Sequence, residues 1–205
     1  MNKHILTGTL LALALALPGL ASAESTLATG SGTITANARL DFKIIIPKVL
    51  FLGVGSGASA TPLATLGTVD LVTFDYSSAA AAVGSGSGGT ATGNAVPVRV
   101  VGNNGTITLS ATTSGAINNG GTTPDTIPWS EITASSSDAT NLPSPTIPAT
   151  GLGSAVNVVA NSGKVTNRTA TWTYGYANSA VIAPGTYGGA GGVNNGRVTY
   201  TATML

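Results

Sequence analysis

Few side chains in this sequence could carry out chemistry. The chain of 205 residues has no cysteine, and its single histidine, His4, lies close to the start. Enzymes favour these two residue types because their pKa values lie near neutrality and their lone pairs bind transition metals. A chain that lacks both after residue 4 is poorly equipped for nucleophilic triads, thiol chemistry or zinc binding. We therefore predict a protein that is not an enzyme, with no catalytic residues, no cofactor and no metal site.

Carboxylates are the remaining candidates for acid–base chemistry or cation binding. Glycoside hydrolysis uses a pair of carboxyl groups, and Glu131 closely follows Trp129, a neighbourhood that also occurs in sugar sites. One aromatic residue beside one acid is a common coincidence, so we assign Trp129 to packing. A calcium loop needs an Asp-x-Asp-x-Asp-Gly run, which this sequence does not contain.

Phosphate and nucleic-acid binding also lack the residues they require. A P-loop places Gly-Lys-Ser/Thr at the start of a helix, whereas Gly163-Lys164 is followed by Val165 in a strand pattern. Removing Lys3 from the eight Lys and Arg residues leaves seven, against seven Asp and Glu. A chain of near-zero net charge has no basic face for nucleic acid, and it is prone to self-association.

The first 23 residues have the pattern of a secretory signal peptide. A short basic start precedes an apolar run over residues 5–17, and Ala21-Ser22-Ala23 is a small-x-small cleavage pattern. We predict cleavage before Glu24 and export of the mature chain. No later stretch approaches the ~20 apolar residues of a spanning helix, so we expect no membrane span after signal removal.

Alternation of apolar and polar residues recurs after the signal and predicts β-strands with one buried face. The longest case extends from Gly32 to Pro47. Its apolar positions are Ile34, Ala36, Ala38, Leu40, Phe42, Ile44 and Ile46. Typical strands have about 5–6 residues, so this one either bends between two sheets or extends beyond its own domain.

Two pairs of strands are predicted to form hairpins. Residues 95–101 and 106–112 flank an Asn-Gly turn signal, which favours tight hairpins. Residues 154–160 and 165–176 flank a second turn. Pro97 has no N–H, so the first strand is expected to lie at a sheet edge there.

The fold class follows from these strands and from the loops between them. Residues 84–89 and 188–196 are rich in glycine, and prolines interrupt residues 122–148. Short strands with such punctuation predict an all-β fold, specifically an immunoglobulin-like antiparallel β-sandwich with long Gly/Ser and Pro-rich loops. We expect a single domain over residues 24–205, with Trp172 in its core.

Two segments resemble the subunits of bacterial chaperone–usher fimbriae, particularly the spore-coat-U-like and colonisation-factor pilins. The first is Gly32-Thr-Ile-Thr-Ala-Asn-Ala-Arg-Leu-Asp-Phe. The second is the turn Ala183-Pro184-Gly185-Thr186-Tyr187, which leads into residues 198–205. Such pilins resemble an immunoglobulin-like sandwich that lacks one strand. The N-terminal extension of the next subunit supplies it, and a periplasmic chaperone holds the groove until then.

The resemblance implies roles for both ends of the chain. Residues 24–46 would form a donor-strand extension, with donor positions at Ile34, Ala36, Ala38, Leu40 and Phe42. The groove edge would be lined by Val198, Tyr200, Ala202 and Met204. The implied partners are further copies of the chain, a periplasmic chaperone and an outer-membrane usher. This chain departs from the family in lacking a disulfide, in the Gly/Asn loop after Tyr187 and in the Pro-rich insertion over residues 122–148.

We therefore expect a structural subunit of a fimbria or other cell-surface assembly involved in adhesion. It would be located in the periplasm, on the cell surface or in a fimbrium, and would polymerise by β-strand addition, since an added strand supplies main-chain hydrogen bonds and fills alternate pockets. Two alternatives stay open. Residues 34–46 could be the ordinary first strand of a sandwich. The protein could also be a self-contained secreted β-sandwich that binds a glycan or other surface ligand through Trp129 and Tyr187.

Overall fold

A computed structural model describes residues 24–205. The predicted signal peptide, residues 1–23, lies outside the described residues. The chain divides into two compact units between Ile46 and Pro47, which is where the candidate extension ends. Residues 24–46 form neither strand nor helix. Residues 47–205 form antiparallel sheets with only short 3-10 helices, which confirms the predicted all-β class.

The second unit contains twelve strands. In chain order they are β1 Leu50–Val54, β2 Thr73–Asp75, β3 Thr90–Thr92, β4 Ala95–Gly102, β5 Ile107–Thr113, β6 Ile117–Asn118, β7 Thr126–Ile127, β8 Ile132–Ser136, β9 Gly151–Leu152, β10 Val156–Val158, β11 Thr166–Tyr176 and β12 Thr199–Met204. The 3-10 helices are Gly55–Ser59, Ala80–Ala82, Trp129–Glu131 and Ala190–Asn195.

Two main sheets form the body of this unit. Sheet 1 has the order β1-β4-β11-β8, and sheet 2 has the order β10-β5-β12, with β9 also paired to β5. The pairs β2-β3 and β6-β7 form separate two-stranded ribbons. All of these strand pairs are antiparallel.

Both sheets contribute to one hydrophobic core. Alternate residues of the central strands are buried, as their apolar periodicity predicts. The core includes Val98 and Val100 from β4, Ile107 and Leu109 from β5, and Trp172 from β11, each at most 1% exposed. The core position of Trp172 is therefore confirmed.

Both predicted hairpins are wrong. Strands β4 and β5 lie in different sheets, and so do β10 and β11. Each turn is an arch that carries the chain across the core from one sheet to the other. Alternation shows that a strand has one buried face, but it does not show whether the next strand pairs beside it or faces it. Gly105 N–H donates to the carbonyl oxygen of Lys164 at 3.0 Å, which joins the two arches.

The edge position predicted for β4 holds only locally. As a whole, β4 is a central strand between β1 and β11. The ladder with β1 stops at the pair Val54–Val98, one residue short of Pro97. Pro97 pairs only with Thr171 of β11, so the proline lies where one side of β4 has no strand partner.

One side of the sandwich is closed by the Pro-rich region. Residues 137–150 connect β8 in sheet 1 to β9 in sheet 2, and this connection buries Leu142, Pro145 and Ile147. The hydroxyl of Ser136 donates to the Leu142 carbonyl oxygen at 2.7 Å. Val159 N–H donates to the Asn141 carbonyl oxygen at 2.9 Å. The connection is thus bonded to both sheets, and it fills the gap between them.

Candidate functional site

The opposite side of the sandwich is open. Strand β1 is the edge of sheet 1, β12 is the edge of sheet 2, and the two strands lie beside each other. No strand of residues 47–205 pairs with the free edge of either. We call this side the open seam and define it by the core-facing residues of the two strands together with Val198, which directly precedes β12. They are Leu50, Leu52 and Val54 on one wall, and Val198, Tyr200, Ala202 and Met204 on the other.

Apolar side chains at the open seam are only partly covered. All seven of its residues are half-buried except Leu50, which is 39% exposed. In contrast, Val100, Leu109 and Trp172 of the central strands are fully buried. An edge strand offers unpaired N–H and C=O groups as a template for another strand. The open seam combines two such edges with an incompletely covered apolar row.

A groove lies along β1, on the side away from β12. Its volume is about 260 Å³, and its lining consists of β1, Gly57, Ala64, Thr65, Leu66 and Thr68. Leu66 in that lining is 56% exposed, and nearby Leu63 is 37% exposed. The groove therefore has apolar side chains on both sides, as expected for a surface that receives apolar side chains from a partner.

Tyr200, a residue of the seam, fixes β12 against the core through contacts with sheet 1. Its ring centroid lies 5.0 Å from that of Trp172 in an edge-to-face arrangement. Its hydroxyl lies 2.8 Å from the hydroxyl of Tyr174. Burial, and to a smaller extent the neighbouring Tyr174, raises the pKa of Tyr200 far above its ordinary value. Tyr200 thus stays neutral and anchors the β12 wall of the seam.

Gly102 leaves room for the last seam residue. A Cβ atom built at Gly102 would lie 3.0 Å from Met204 Sδ and 2.6 Å from Ile107 Cδ1. The absence of a side chain at the end of β4 allows Met204 to pack close to the core. Nothing in the sequence pattern indicated this role.

The segment predicted as a long strand forms none in the single chain. We call residues 32–46 the alternating segment; it has no secondary structure beyond a bend at its first residue. Leu40, Phe42, Ile44 and Ile46 are 71%, 84%, 83% and 75% exposed. The interpretation as an ordinary first strand of the sandwich is therefore wrong.

The predicted site residues fall into two groups. The donor candidates Ile34, Ala36, Ala38, Leu40 and Phe42 all lie exposed in the alternating segment. Val198 precedes β12, and Tyr200, Ala202 and Met204 follow on its core-facing side. The β1 wall of the seam was missed. The signal for it was the apolar run Val49–Leu52, which follows Pro47 directly but by itself does not reveal a partner wall.

Of the two aromatic residues in the alternative glycan or surface-ligand site, Trp129 and Tyr187, only Tyr187 is accessible to a ligand. Trp129 is 6% exposed, and its indole N–H donates to the Gly115 carbonyl oxygen at 2.7 Å, which confirms its packing role. Tyr187 donates its hydroxyl to the Ala183 carbonyl oxygen at 2.8 Å. The carboxylate of Glu131 accepts hydrogen bonds from the hydroxyl and the N–H of Ser179, which lower the pKa of Glu131. Each of these side chains thus has a local structural partner.

Other features of residues 24–205 bear on binding and location. No three His, Cys, Asp or Glu side chains in this range group closely enough to hold a metal ion. None of the helices in the same range has the length and apolar composition to cross a membrane. Comparison of the chain with protein-family models, with curated proteins and with solved structures finds no match.

Proposed function

We propose that this protein is a non-catalytic exported subunit of a fimbria or other cell-surface assembly and that it polymerises by β-strand addition. Its sandwich would be immunoglobulin-like and incomplete, and the alternating segment of a second copy would fill the open seam. The observation that carries the proposal is that one chain contains both an exposed alternating segment and a partly covered apolar seam between two edge strands.

The lengths of the two parts are compatible. Strand β12 has six residues, which at about 3.4 Å per residue presents an edge of ~20 Å. The alternating segment from Ile34 to Ile46 contains thirteen residues, about twice that length on the same scale. An inserted segment can therefore cover the whole edge and still leave residues that link the two copies.

The gain in free energy would come mainly from apolar side chains. Burying one large aliphatic or aromatic side chain stabilises by about 1.5–3 kcal/mol, and Leu40, Phe42, Ile44 and Ile46 are all exposed in the single chain. Main-chain hydrogen bonds add about 0.5–1.5 kcal/mol each, against an ordering cost of ~1–2 kcal/mol per residue. The alternation places polar residues such as Thr35 and Asn37 on the solvent side of the inserted strand.

The resemblance to pilins supplies the remaining partners of this proposal. A periplasmic chaperone would cover the open seam before assembly, and an outer-membrane usher would receive the subunit. Both partners would act on the same edge strands, since those strands have unpaired main-chain groups.

Leu40→Asp tests strand addition. The exported wild-type protein should form a ladder of bands on an unboiled denaturing gel, because strand-exchanged copies resist detergent. Leu40→Asp would bury an unpaired carboxylate in the seam of a second copy, at several kcal/mol. The variant should therefore melt like the wild type as a monomer but form no ladder. Thr35→Asp, on the polar face, is the matched control and should keep the ladder. A wild-type protein that stays monomeric at every concentration would refute the proposal.

A second candidate function is binding of a glycan or other surface ligand by the monomer. The observation in its favour is an open cavity of about 480 Å³ lined by Pro124, Asp125, Glu131 and Ile182, among others. Val181 in its wall is 81% exposed. Binding of a monomeric, ladder-free protein to a glycan array, abolished by Val181→Asp, would favour this function over assembly.

A further inference from the structure

The two ends of the sandwich differ in charge. We call the end that contains the two arches the arch end. There the Asn103 side-chain amide donates to the Pro47 carbonyl oxygen and accepts from Val49 N–H, both at 2.8 Å. Lys48 lies between Pro47 and Val49 in the sequence, and Lys164 of the second arch accepts a hydrogen bond from Gly105 N–H through its carbonyl oxygen. Both lysines are exposed, so the arch end presents two cationic side chains.

Four of the five carboxylates of residues 47–205 lie toward the opposite end, which we call the far end. Asp70 accepts hydrogen bonds from Ser56, just beyond the end of β1. Asp75 ends β2, whose ribbon contacts Tyr176 at the end of β11 through aromatic rings. Glu131 accepts from Ala177 N–H through its carbonyl oxygen, and it shares a cavity with Asp125.

Cations at the far end are fewer. Arg197 is exposed two residues before β12. Arg99 lies near the middle of β4, opposite Gly53 of β1, and donates to the Ala60 carbonyl oxygen at 3.4 Å. Four carboxylates and one guanidinium group therefore lie at this end, and the far end has a negative balance of charged side chains.

Chain connectivity decides which ends can meet. Ile46 is followed directly by Pro47, which is bonded at the arch end. A copy with its alternating segment inserted up to Ile46 must bring its arch end to the point where the segment leaves the second copy. Strand β12 runs from the far end at Thr199 to the arch end at Met204. If the inserted segment runs parallel to β12, its last residue lies at the arch end of the second copy, and the lysines of the two copies then meet. If it runs antiparallel to β12, its last residue lies at the far end.

We propose that consecutive copies contact each other arch end to far end, with Lys48 and Lys164 of one copy facing the carboxylates of the next. This inference rests on the proposed strand addition. Exposed ion pairs contribute little affinity, but complementary charged faces speed and orient encounter by ~10-fold to 1,000-fold at low salt. The Debye length of ~8 Å at physiological salt limits this effect to close approach. The contact should therefore govern the rate and the direction of assembly more than its final stability.

Matched charge reversals test the contact in the full exported chain. Lys164→Glu and Arg197→Glu change the net charge equally but at opposite ends. At low salt Lys164→Glu should slow ladder formation by about 10-fold, and Arg197→Glu should accelerate it. In ~0.5 M salt both differences should shrink toward the wild-type rate. If the rate of ladder formation changed equally in the two variants, or in neither, the proposed contact would be refuted, whereas strand addition would not. A wild-type chain that forms no ladder would instead refute the proposed function.

Cross-linking tests the direction independently, because the chain has no cysteine. Lys164→Cys and Asp125→Cys copies are mixed, allowed to assemble and treated with a short bis-maleimide. The expected product links one variant to the other. Linkage of Lys164→Cys to itself, or no linkage in a sample that forms a ladder, would overturn the proposal. Thr173→Cys, on the exposed face of β11, is the control and should give no cross-link.

Discussion

The hydroxyl groups of Tyr174 and Tyr200 lie 2.8 Å apart and join the two sheets across the core. Tyr174 belongs to β11 of sheet 1, and Tyr200 belongs to β12 of sheet 2. Burial is the main cause that raises the pKa of both tyrosines above their ordinary value. The two neutral hydroxyl groups thus form a hydrogen bond that fixes the edge strand β12 of sheet 2 to β11 of sheet 1.

Tyr200→Phe should lower the free energy of unfolding by about 1 kcal/mol, because the variant loses one hydrogen bond and leaves the Tyr174 hydroxyl without its partner. Urea denaturation measures the change. The double variant Tyr174→Phe/Tyr200→Phe should cost less than the sum of the two single changes. Strict additivity would show that the two hydroxyl groups do not interact.

Trp172→Ala should lower the free energy of unfolding by about 3–5 kcal/mol, because it removes a fully buried indole from the core. Thermal melting provides the measurement. Thr173→Ala on the exposed face of the same strand is the control and should have little effect. A Trp172→Ala variant that melts within a degree or two of the wild type would contradict the register of β11.

Gly53→Ala should destabilise the protein by about 1–3 kcal/mol through overpacking. A Cβ atom at Gly53 would lie 2.6 Å from Ala58 Cα and 2.9 Å from the Gly57 carbonyl oxygen, so main-chain atoms would have to move. Gly57→Ala has no atom within 4 Å of its added Cβ and is the matched control. Equal melting temperatures for the two variants would show that the 3-10 helix after β1 does not pack on this strand.

Acid should weaken the fold in part through Glu131. Hydrogen bonds from Ser179 lower the pKa of Glu131 from its ordinary value of 4.5. A carboxyl group with a lowered folded pKa contributes stability that is present above pH 4.5 and is lost as the pH falls through the folded value. The difference in melting temperature between wild type and Glu131→Gln should therefore shrink as the pH falls below 4.5. A difference independent of pH would contradict this assignment.

Local pattern was sufficient to predict several features of the fold. Alternation identified the all-β class, the core position of Trp172 and the apolar row of β12, because a side chain's face in a strand depends only on its place in the sequence. The same pattern showed that the alternating segment has one apolar face. The packing role of Trp129 was assigned on a different ground, since one aromatic residue beside one acid is a common coincidence.

Pairing was decided by the tertiary structure. The turns at residues 103–105 and 161–164 satisfy hairpin rules, yet both are arches. Their strands bury apolar faces against each other across the core, which period-two alternation allows equally well. The open seam depends on the meeting of β1 and β12, whose sequences lie at opposite ends of the second unit. Only long-range packing could show that residues 137–150 fill one side of the sandwich and that no strand of residues 47–205 fills the other side.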